Sequence, residues 1–226
     1  MTNTREYWEQ RFGTGDWEDV DGREQTREFA RAQVRRFPLP RTFDGLLVDF
    51  GCALGDAIPV YAERYPAARL VGIDWSESAI ARCRERYGEL AEFVCGSVEE
   101  TPPADVIVCS NVLEHVENPL ELARRLQERC SLLLITVPYR EQYLIEEHIH
   151  RFDRSSFDTL GAVRVTVFAC RGWSQYGLRR LWYEIRLKNL LRPLVGKPRL
   201  RRRLQALYVV PGTRNGRPEV GERGSS

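Results

Sequence analysis

The sequence contains no apolar run long enough to span a membrane, and no basic stretch followed by an apolar one at its start. We therefore expect neither a transmembrane anchor nor a secretory leader, and take the cytoplasm as the default location. The six cysteines show no Cys-x-x-Cys spacing, so we expect reduced, structural thiols and no metal site. Internal repeats are also lacking. What remains is one globular domain in 226 residues, of which 42% are hydrophobic.

The net charge of +2 conceals a basic region. Residues 171–203 hold eleven of the 34 Lys and Arg residues and one acid, Glu184, so the rest of the chain is acidic. Apolar residues recur at helical spacing over 175–191, which predicts an amphipathic helix packed on the sheet or on a second copy in a homodimer. An anionic ligand, a weak membrane-surface contact and RNA stay open as alternatives. Nucleic acid is not favoured, because no RNA-binding motif accompanies the charges.

One stretch, Leu46 to Gly55, organises the chain. Its apolar run ends at Asp49 and is followed by small residues, which predicts a buried strand, a tight turn and a helix. Glycine at Gly51 and Gly55 lets the backbone approach a ligand closely. A second apolar run ends at Asp74, at the distance where nucleotide-binding folds place a carboxylate against ribose hydroxyls.

Strands and helices alternate along the chain. Apolar runs predict strands over 46–49, 69–73, 91–95, 106–109, 132–137, 163–169 and 204–210, and helical patterns separate most of them. This order predicts an α/β fold with a doubly wound, mostly parallel, seven-stranded sheet. A ligand of such a sheet lies beyond the carboxyl ends of its strands. The candidate ligand-binding residues there are Asp49, Asp74, Ser97, Ser110 and Asn111.

The predicted organisation has three parts. Residues 1–45 form an N-terminal helical lid and leading helix, with a loop over 13–17 between two helices. Residues 46–210 form the main domain, in which 171–203 is a basic helical insertion before the last strand. Residues 211–226 are polar and Gly-rich, and we expect this tail to be disordered.

Four segments together resemble the class I S-adenosylmethionine-dependent methyltransferases, in particular small O-methyltransferases of sugars, glycans and natural products. The segments are Asp49-Phe50-Gly51-Cys52-Ala53-Leu54-Gly55, Asp74-Trp75, Cys95-Gly96-Ser97-Val98-Glu99-Glu100, and Ala104 through Pro119 with its Leu-Glu-His-Val element. The resemblance implies a Rossmann-like methyltransferase fold, S-adenosyl-L-methionine as cofactor and S-adenosyl-L-homocysteine as product. A dinucleotide-binding dehydrogenase is the structural rival, but the turn lacks Gly-x-Gly-x-x-Gly spacing.

The resemblance also implies the cofactor contacts. Asp74 would bind ribose, Trp75 would lie against adenine, and Arg23 with the N-terminal aromatics would close over the methionine end or the acceptor. The full predicted set is Arg23, Asp49, Gly51, Cys52, Ala53, Gly55, Asp74, Trp75, Ser97, Val98, Ser110 and Asn111. Two positions depart from the family pattern. Ala53 replaces a glycine, which we expect to be tolerated if its φ is negative, and Ser97 replaces an aspartate, which shifts the adenine contact toward the Val98 backbone.

Three histidines are the candidates for acceptor chemistry. Histidine titrates near neutrality and suits a general base for a hydroxyl acceptor. We favour His148 as the base, with His150 second, and include His115 and Glu114 in the catalytic set. Two histidines at the spacing of His148 and His150 are only a fragment of a metal site, so no metal is predicted.

The predicted acceptor is a hydroxyl on a sugar, glycan or glycosylated small molecule. The segment from Glu146 to Asp153 resembles one found after the fifth strand in methyltransferases acting on sugars and natural-product hydroxyls. Three alternatives stay open. They are an RNA-modifying methyltransferase, N- or C-methylation of a small metabolite, and a non-catalytic cofactor-binding partner that regulates another protein.

Overall fold

Seven strands form the centre of the computed structural model, which describes residues 2–19, 21–170, 187–200 and 203–214. The strands are β1 (Leu46–Phe50), β2 (Arg69–Asp74), β3 (Glu92–Cys95), β4 (Ala104–Ser110), β5 (Cys130–Tyr139), β6 (Arg164–Ala169) and β7 (Leu204–Pro211). They lie in the order β3-β2-β1-β4-β5-β7-β6. All neighbours from β3 to β5 pair in parallel, whereas β7 runs antiparallel to both β5 and β6. The predicted doubly wound, mostly parallel sheet is confirmed.

Six α-helices lie wholly within the described residues, and residues 187–191 are also helical. The six are α1 (Arg5–Thr14), α2 (Asp16–Asp19), α3 (Gly22–Val34), α4 (Ile58–Arg64), α5 (Glu77–Tyr87) and α6 (Pro119–Gln127). Ser76 caps α5 as predicted, because its hydroxyl accepts a hydrogen bond of 3.0 Å from the Ala79 amide. The predicted loop over 13–17 is wrong. Gly15 alone breaks the helix, with a left-handed φ of 94°, and α2 starts directly after it.

Helices cover both faces of the sheet, which explains why its central strands are apolar on both sides. On one face, Tyr61 of α4 and Ile80 of α5 pack against alternate residues of the central strands. On the other face, Leu126 of α6 packs with Phe157 and Tyr208, all three fully buried. Packing on both faces holds the parallel strands β1 to β5 in place, and their carboxyl ends lie at the same edge of the sheet.

The N-terminal helices are fastened to that edge by polar contacts. The carboxylate of Glu9 in α1 accepts hydrogen bonds from the Ser76 hydroxyl (2.7 Å) and the Ser78 amide (3.1 Å). Glu18 in α2 forms ion pairs of 2.6 Å with both Arg82 and Arg86 of α5. These contacts hold α1 and α2, which belong to the predicted N-terminal lid, beside the carboxyl end of β2.

Three predictions fall wholly or partly outside the described residues. The basic region is described only at 187–200 and at Arg203, so residues 175–186 of the helix predicted over 175–191 lie outside, while residues 187–191 are helical as predicted. Residues 215–226 of the predicted tail also lie outside. Pro211 is the last residue of β7, and the amides of Gly212 and Thr213 donate to Ser131 (2.8 Å) and Gln127 (3.0 Å). The predicted disorder is therefore wrong for residues 211–213. None of the described helices is long and apolar enough to cross a membrane.

Candidate active site

A cavity of about 1040 Å³ lies at the carboxyl ends of the parallel strands, beneath α1. That volume is at the upper end of the range for small-molecule sites and can hold a cofactor together with an acceptor. Most of the predicted site residues line it, namely Asp49, Gly51, Cys52, Ala53, Asp74, Trp75, Ser97, Val98, Ser110, Asn111, Glu114, His115 and His148. Three predicted residues, Arg23, Gly55 and His150, do not line it.

The turn after β1 is held against β2 by its own backbone. The amides of Gly51 and Cys52 both donate to the carbonyl of Ile73, at 2.8 and 2.9 Å. Gly51 has a φ of +73°, and a Cβ there would lie 2.4 Å from Val112 Cγ2. Gly55 has a φ of +74° and faces Cys83 instead of the cavity. The two glycines are therefore required by backbone shape and close packing.

The backbone conformation of Ala53 differs from the one we expected. Its φ is +48°, in the left-handed region, so the condition of a negative φ is not met. Its amide donates a hydrogen bond of 2.9 Å to Asp74 Oδ2. The turn thus keeps the shape that a glycine would give and accepts the strain of an alanine there.

Two buried carboxyl groups face the cavity. Burial raises the pKa of Asp49 to about 7, with a further contribution from the charge of Asp74. Burial also raises the pKa of Asp74 to about 6, although the amides of Ser76 and Ala53 oppose this shift. The Ser76 amide donates to Asp74 Oδ1 at 3.0 Å. When ionised, the pair favours a ligand that carries hydroxyl donors or positive charge.

Ser97 is engaged by two acidic neighbours. Glu100 Oε2 accepts from its amide at 2.7 Å and from its hydroxyl at 3.1 Å, and the hydroxyl also lies against Glu99. Glu99 itself pairs with Arg125, and both line the cavity. The sequence did not indicate Glu99 and Arg125 as site residues, because an exposed acid and an exposed base form no recognisable sequence motif. The adenine contact of Ser97 and Val98 stays a prediction.

Arg23 lies outside the cavity and pairs with Asp56. Its Nε is 3.2 Å from Asp56 Oδ1, which also accepts 2.6 Å from the Tyr87 hydroxyl. Asp56 is buried directly after the glycine turn. Arg23 therefore links α3 to the turn after β1. Because Arg23 does not line the cavity, its predicted contact with the cofactor stays a prediction.

Aromatic residues of α1 and α2 cover the cavity. Trp8 stacks on Phe12 with ring centroids 5.6 Å apart, and Trp17 meets Phe12 edge-on at 6.0 Å. Trp8 also contacts the ring of His115 at 5.1 Å. Arg11 lies over the Trp17 ring, with its guanidinium carbon 5.6 Å from the centroid. The same rings serve as packing for the N-terminal helices and as the wall of the site.

His115 and His148 meet at the acceptor side, and their ring centroids are 5.0 Å apart. Nδ1 of His115 lies 3.0 Å from the carbonyl oxygen of Glu147, and Nδ1 of His148 lies 2.5 Å from Glu141 Oε2. A carbonyl or ionised carboxylate oxygen only accepts, so Nδ1 carries the proton in the neutral form of each ring. Each Nε2 therefore presents a lone pair. Burial lowers the pKa of His115 to about 4, which keeps it neutral at physiological pH.

Glu114 completes the cluster. It is fully buried, and neither carboxylate oxygen has a hydrogen-bond partner among the described residues. Burial raises the pKa of this carboxyl well above its usual range. One oxygen of Glu114 and one ring nitrogen each of His115 and His148 lie within 4.8 Å of one another. His150 is placed differently, since its Nε2 is 2.8 Å from the Val116 carbonyl.

Comparison with known proteins adds the sequence relationship. Residues 48–131 match the family model described as a methyltransferase domain. Trans-aconitate 2-methyltransferase of Variovorax paradoxus (strain S110) is 32% identical over 139 residues, which cover 58% of this chain and 51% of that protein. The chain spans about half the length, or less, of the curated relatives it matches.

Solved structures share the fold at low identity. The plantazolicin methyltransferase BpumL in complex with SAH has a TM-score of 0.57 and 21% identity, over 93% of this chain and 96% of that one. The [4+2]-cyclase SpnF has a TM-score of 0.60 and 14% identity, over 83% of this chain and 81% of that one. A fold shared with a protein described as a cyclase does not by itself define the reaction.

The sheet order with its antiparallel β7, together with the cavity at the strand ends, is the fold of class I methyltransferases. The matched segment starts within β1, contains the glycine turn and Asp74, and extends to the start of β5. Residues 48–131 therefore carry a methyltransferase domain, in agreement with the resemblance to the class I S-adenosylmethionine-dependent methyltransferases.

Proposed function

We propose that this protein transfers the methyl group of S-adenosyl-L-methionine to a hydroxyl oxygen of a small molecule, with S-adenosyl-L-homocysteine as product. The observation that carries the proposal is the orientation of His115 and His148. Both rings direct their Nδ1 proton to an oxygen and so present Nε2 as an acceptor beside the cavity. A hydroxyl needs its proton removed before or during methyl transfer, and this cluster can assist that step.

The reaction is an in-line displacement. The acceptor oxygen forms a bond to the methyl carbon while the carbon–sulfur bond breaks, and its electron pair stays on sulfur. The sulfonium becomes a neutral thioether, and the hydroxyl proton leaves. The protein has to align oxygen, carbon and sulfur. Binding both reactants in this alignment lowers the activation barrier.

The donor side of the proposal uses the residues at the strand ends. Gly51 and Cys52 shape the turn along the donor, and Asp74 accepts hydrogen bonds from the ribose hydroxyls. Ser97 and Val98 face adenine, with Trp75 against the ring. Their position on the wall of one cavity supports this assignment.

The choice between a hydroxyl and a carboxylate acceptor rests on the residues at the acceptor end of the cavity. The curated relatives are named for trans-aconitate, whose carboxyl groups are ionised at neutral pH and need no base. The histidine cluster therefore favours a hydroxyl acceptor in this chain. The narrower choice of a sugar, glycan or glycosylated molecule rests on the resemblance of residues 146–153 alone. A panel of sugars, glycosides and trans-aconitate, assayed with methyl-labelled donor, separates the classes.

We expect His148→Ala to lower methyl transfer to a hydroxyl acceptor by at least 100-fold, because the cluster loses the ring that Glu141 orients. Binding of S-adenosyl-L-homocysteine, measured by calorimetry, should change less than threefold. His150→Ala is the matched control, since the His150 side chain does not line the cavity and its Nε2 lies 2.8 Å from the Val116 carbonyl, and the variant should retain most of its activity. Full turnover by His148→Ala with normal binding would contradict the proposal.

Cofactor binding should depend on pH through Asp74. With its pKa raised to about 6, Asp74 is mostly protonated at pH 5 and mostly ionised at pH 8. Only the ionised form accepts from two ribose hydroxyls through both oxygens, so we expect affinity for S-adenosyl-L-homocysteine to fall about tenfold from pH 8 to pH 5. Calorimetry at both values tests this. Asp74→Asn should bind at least tenfold more weakly at pH 8, and Asp49→Asn measures the separate contribution of the other buried acid. Unchanged affinity in Asp74→Asn would exclude the ribose assignment.

A further inference from the structure

The histidine cluster has a property that proton transfer alone does not require. Glu114 is fully buried, yet neither of its oxygens meets a hydrogen-bond donor among the described residues. A buried carboxyl group without a hydrogen-bond partner is costly in either protonation state, and buried carboxylates that are ionised are paired with an opposite charge or a metal ion. Ring nitrogens of His115 and His148 lie close to Glu114. One carboxylate oxygen of Glu114 and one ring nitrogen of each histidine lie within 4.8 Å of one another.

We infer that Glu114, His115 and His148 bind a divalent metal cation at the acceptor end of the cavity. The inference deepens the proposed function and rests on it for the role of the cation, although cation binding itself can be tested without any acceptor. It also replaces the sequence-based expectation that the site holds no metal. In this arrangement His148 is a ligand and does not take up the acceptor proton itself.

The ring orientations fit ligation. Metal-bound histidines almost always donate their second ring N–H to a carboxylate or a backbone carbonyl, which fixes the ring and raises its basicity. Here Glu141 serves His148 in this way, and the Glu147 carbonyl serves His115. Coordination would therefore use Nε2 of both rings. These two outer contacts hold both rings in the orientation that ligation by Nε2 requires.

The donor set selects a chemical class of cation. Two imidazole nitrogens and one carboxylate oxygen suit Mn²⁺, Fe²⁺, Co²⁺ or Zn²⁺ better than Ca²⁺, which prefers oxygen donors. Three protein ligands also leave coordination positions open, as catalytic sites do and structural sites do not. The lining of the cavity by all three residues places those open positions where an acceptor would bind.

The cation would act on the acceptor hydroxyl. Coordination of an oxygen to a divalent metal lowers the pKa of its proton by several units, so an alkoxide forms near neutral pH. The proton passes to solvent, and the metal-bound oxygen attacks the methyl carbon as the carbon–sulfur bond breaks. The charges balance, because an alkoxide and a sulfonium become an ether and a thioether.

The experiment uses the full chain without an affinity tag, stripped with a chelator and then dialysed. The chain has only three histidines, which keeps background binding low. Titration with CoCl₂, followed by visible absorption, should saturate at one equivalent, and calorimetry with MnCl₂ should give the same stoichiometry. We expect Glu114→Gln and His148→Ala to weaken Co²⁺ binding by at least 100-fold. Glu141→Gln, which alters only an outer contact, should weaken it about 10- to 100-fold.

His150→Ala is the matched control and should bind Co²⁺ like the wild type. Binding of S-adenosyl-L-homocysteine to every variant shows that the fold is intact. Absence of saturable Co²⁺ and Mn²⁺ binding in wild type that binds S-adenosyl-L-homocysteine would overturn the inference, as would equal loss in His150→Ala and His148→Ala. Methyl transfer to a hydroxyl that persists in chelator would also overturn it, while leaving the proposed function standing. Tight cation binding without transfer to any hydroxyl would leave the site in place and remove the proposed function.

Discussion

Glu114→Leu is expected to give a protein that is more stable than the wild type and unable to methylate a hydroxyl. Leucine is of similar volume and removes a fully buried carboxyl group that has no hydrogen-bond partner among the described residues. Removing such an unsatisfied group is expected to stabilise the fold by about 1–3 kcal/mol. The same change deletes one of the three groups at the acceptor end, so transfer should fall by at least 100-fold.

The stability gain should depend on pH in a defined direction. Burial raises the pKa of Glu114 in the folded state, whereas the unfolded chain ionises near the ordinary value of 4.5. Between these values the folded state holds the proton that the unfolded state has released, so wild-type stability falls as pH rises above 4.5. Leucine has no such proton. The advantage of Glu114→Leu should therefore be small at pH 4.5 and larger at pH 8.

Urea unfolding at both pH values, with chelator present to remove metal binding, measures this difference. Glu114→Gln is the companion variant, because it removes the charge and keeps a polar group in the same space. It should lose the pH dependence but gain less stability than leucine. If Glu114→Leu were less stable than the wild type at pH 8, then Glu114 would have a stabilising partner and the basis for a cation site would be weakened.

Gly51→Ala should destroy cofactor binding. Gly51 has a φ of +73°, and the new Cβ would lie 2.4 Å from Val112 Cγ2 in the cavity wall. Left-handed backbone costs a non-glycine residue about 1–2 kcal/mol, and the collision adds about 1–3 kcal/mol of overpacking. We expect a lower melting temperature and at least a 100-fold loss of affinity for S-adenosyl-L-homocysteine, measured by calorimetry.

Two variants separate the strain from the collision. Gly161 has nearly the same φ, +72°, but no atom lies within 4 Å of a Cβ placed there. Gly161→Ala should therefore lose some stability and keep its cofactor affinity. In Gly51→Ala with Val112→Ala, the nearest remaining atom is Val112 Cβ at 3.5 Å, an ordinary contact. Partial recovery of binding in the double variant is expected. An affinity loss in Gly161→Ala as large as in Gly51→Ala would show that the effect is general destabilisation.

The sheet and the donor turn were predictable because their signals are local. Strands buried on both faces read as short apolar runs, and β1, β2, β4 and β5 each leave such a run. Residues at the carboxyl ends of parallel strands reach the ligand edge whatever the tertiary details, which brought Asp49, Asp74 and Ser110 to one cavity. Even Ser76 could be assigned as a cap, since its hydroxyl bonds within three residues.

The acceptor side was only partly predictable, because its contacts join distant or irregular segments. Glu141 orients His148 from a stretch between β5 and β6 that has no periodic pattern. His148 and His150 share a chemistry and a spacing, yet one lines the cavity and the other bonds to Val116. Residue type suggested all three histidines, and only the tertiary structure distinguishes among them. The φ of Ala53 likewise depends on the fit of the turn against β2, which no local propensity reports.

Glu147 links the N-terminal helices to the histidine cluster. Its carbonyl accepts from His115 and from the Asn3 side chain (2.7 Å), while its carboxylate accepts from the Tyr7 hydroxyl (2.6 Å) and lies 3.2 Å from Arg11. If the donor lies beneath α1 and the acceptor beside His115, as proposed, both ligands border this residue. By linkage, any affinity that the donor adds for the acceptor is added by the acceptor for the donor in equal measure. Binding of each ligand in the presence and absence of the other would measure this coupling.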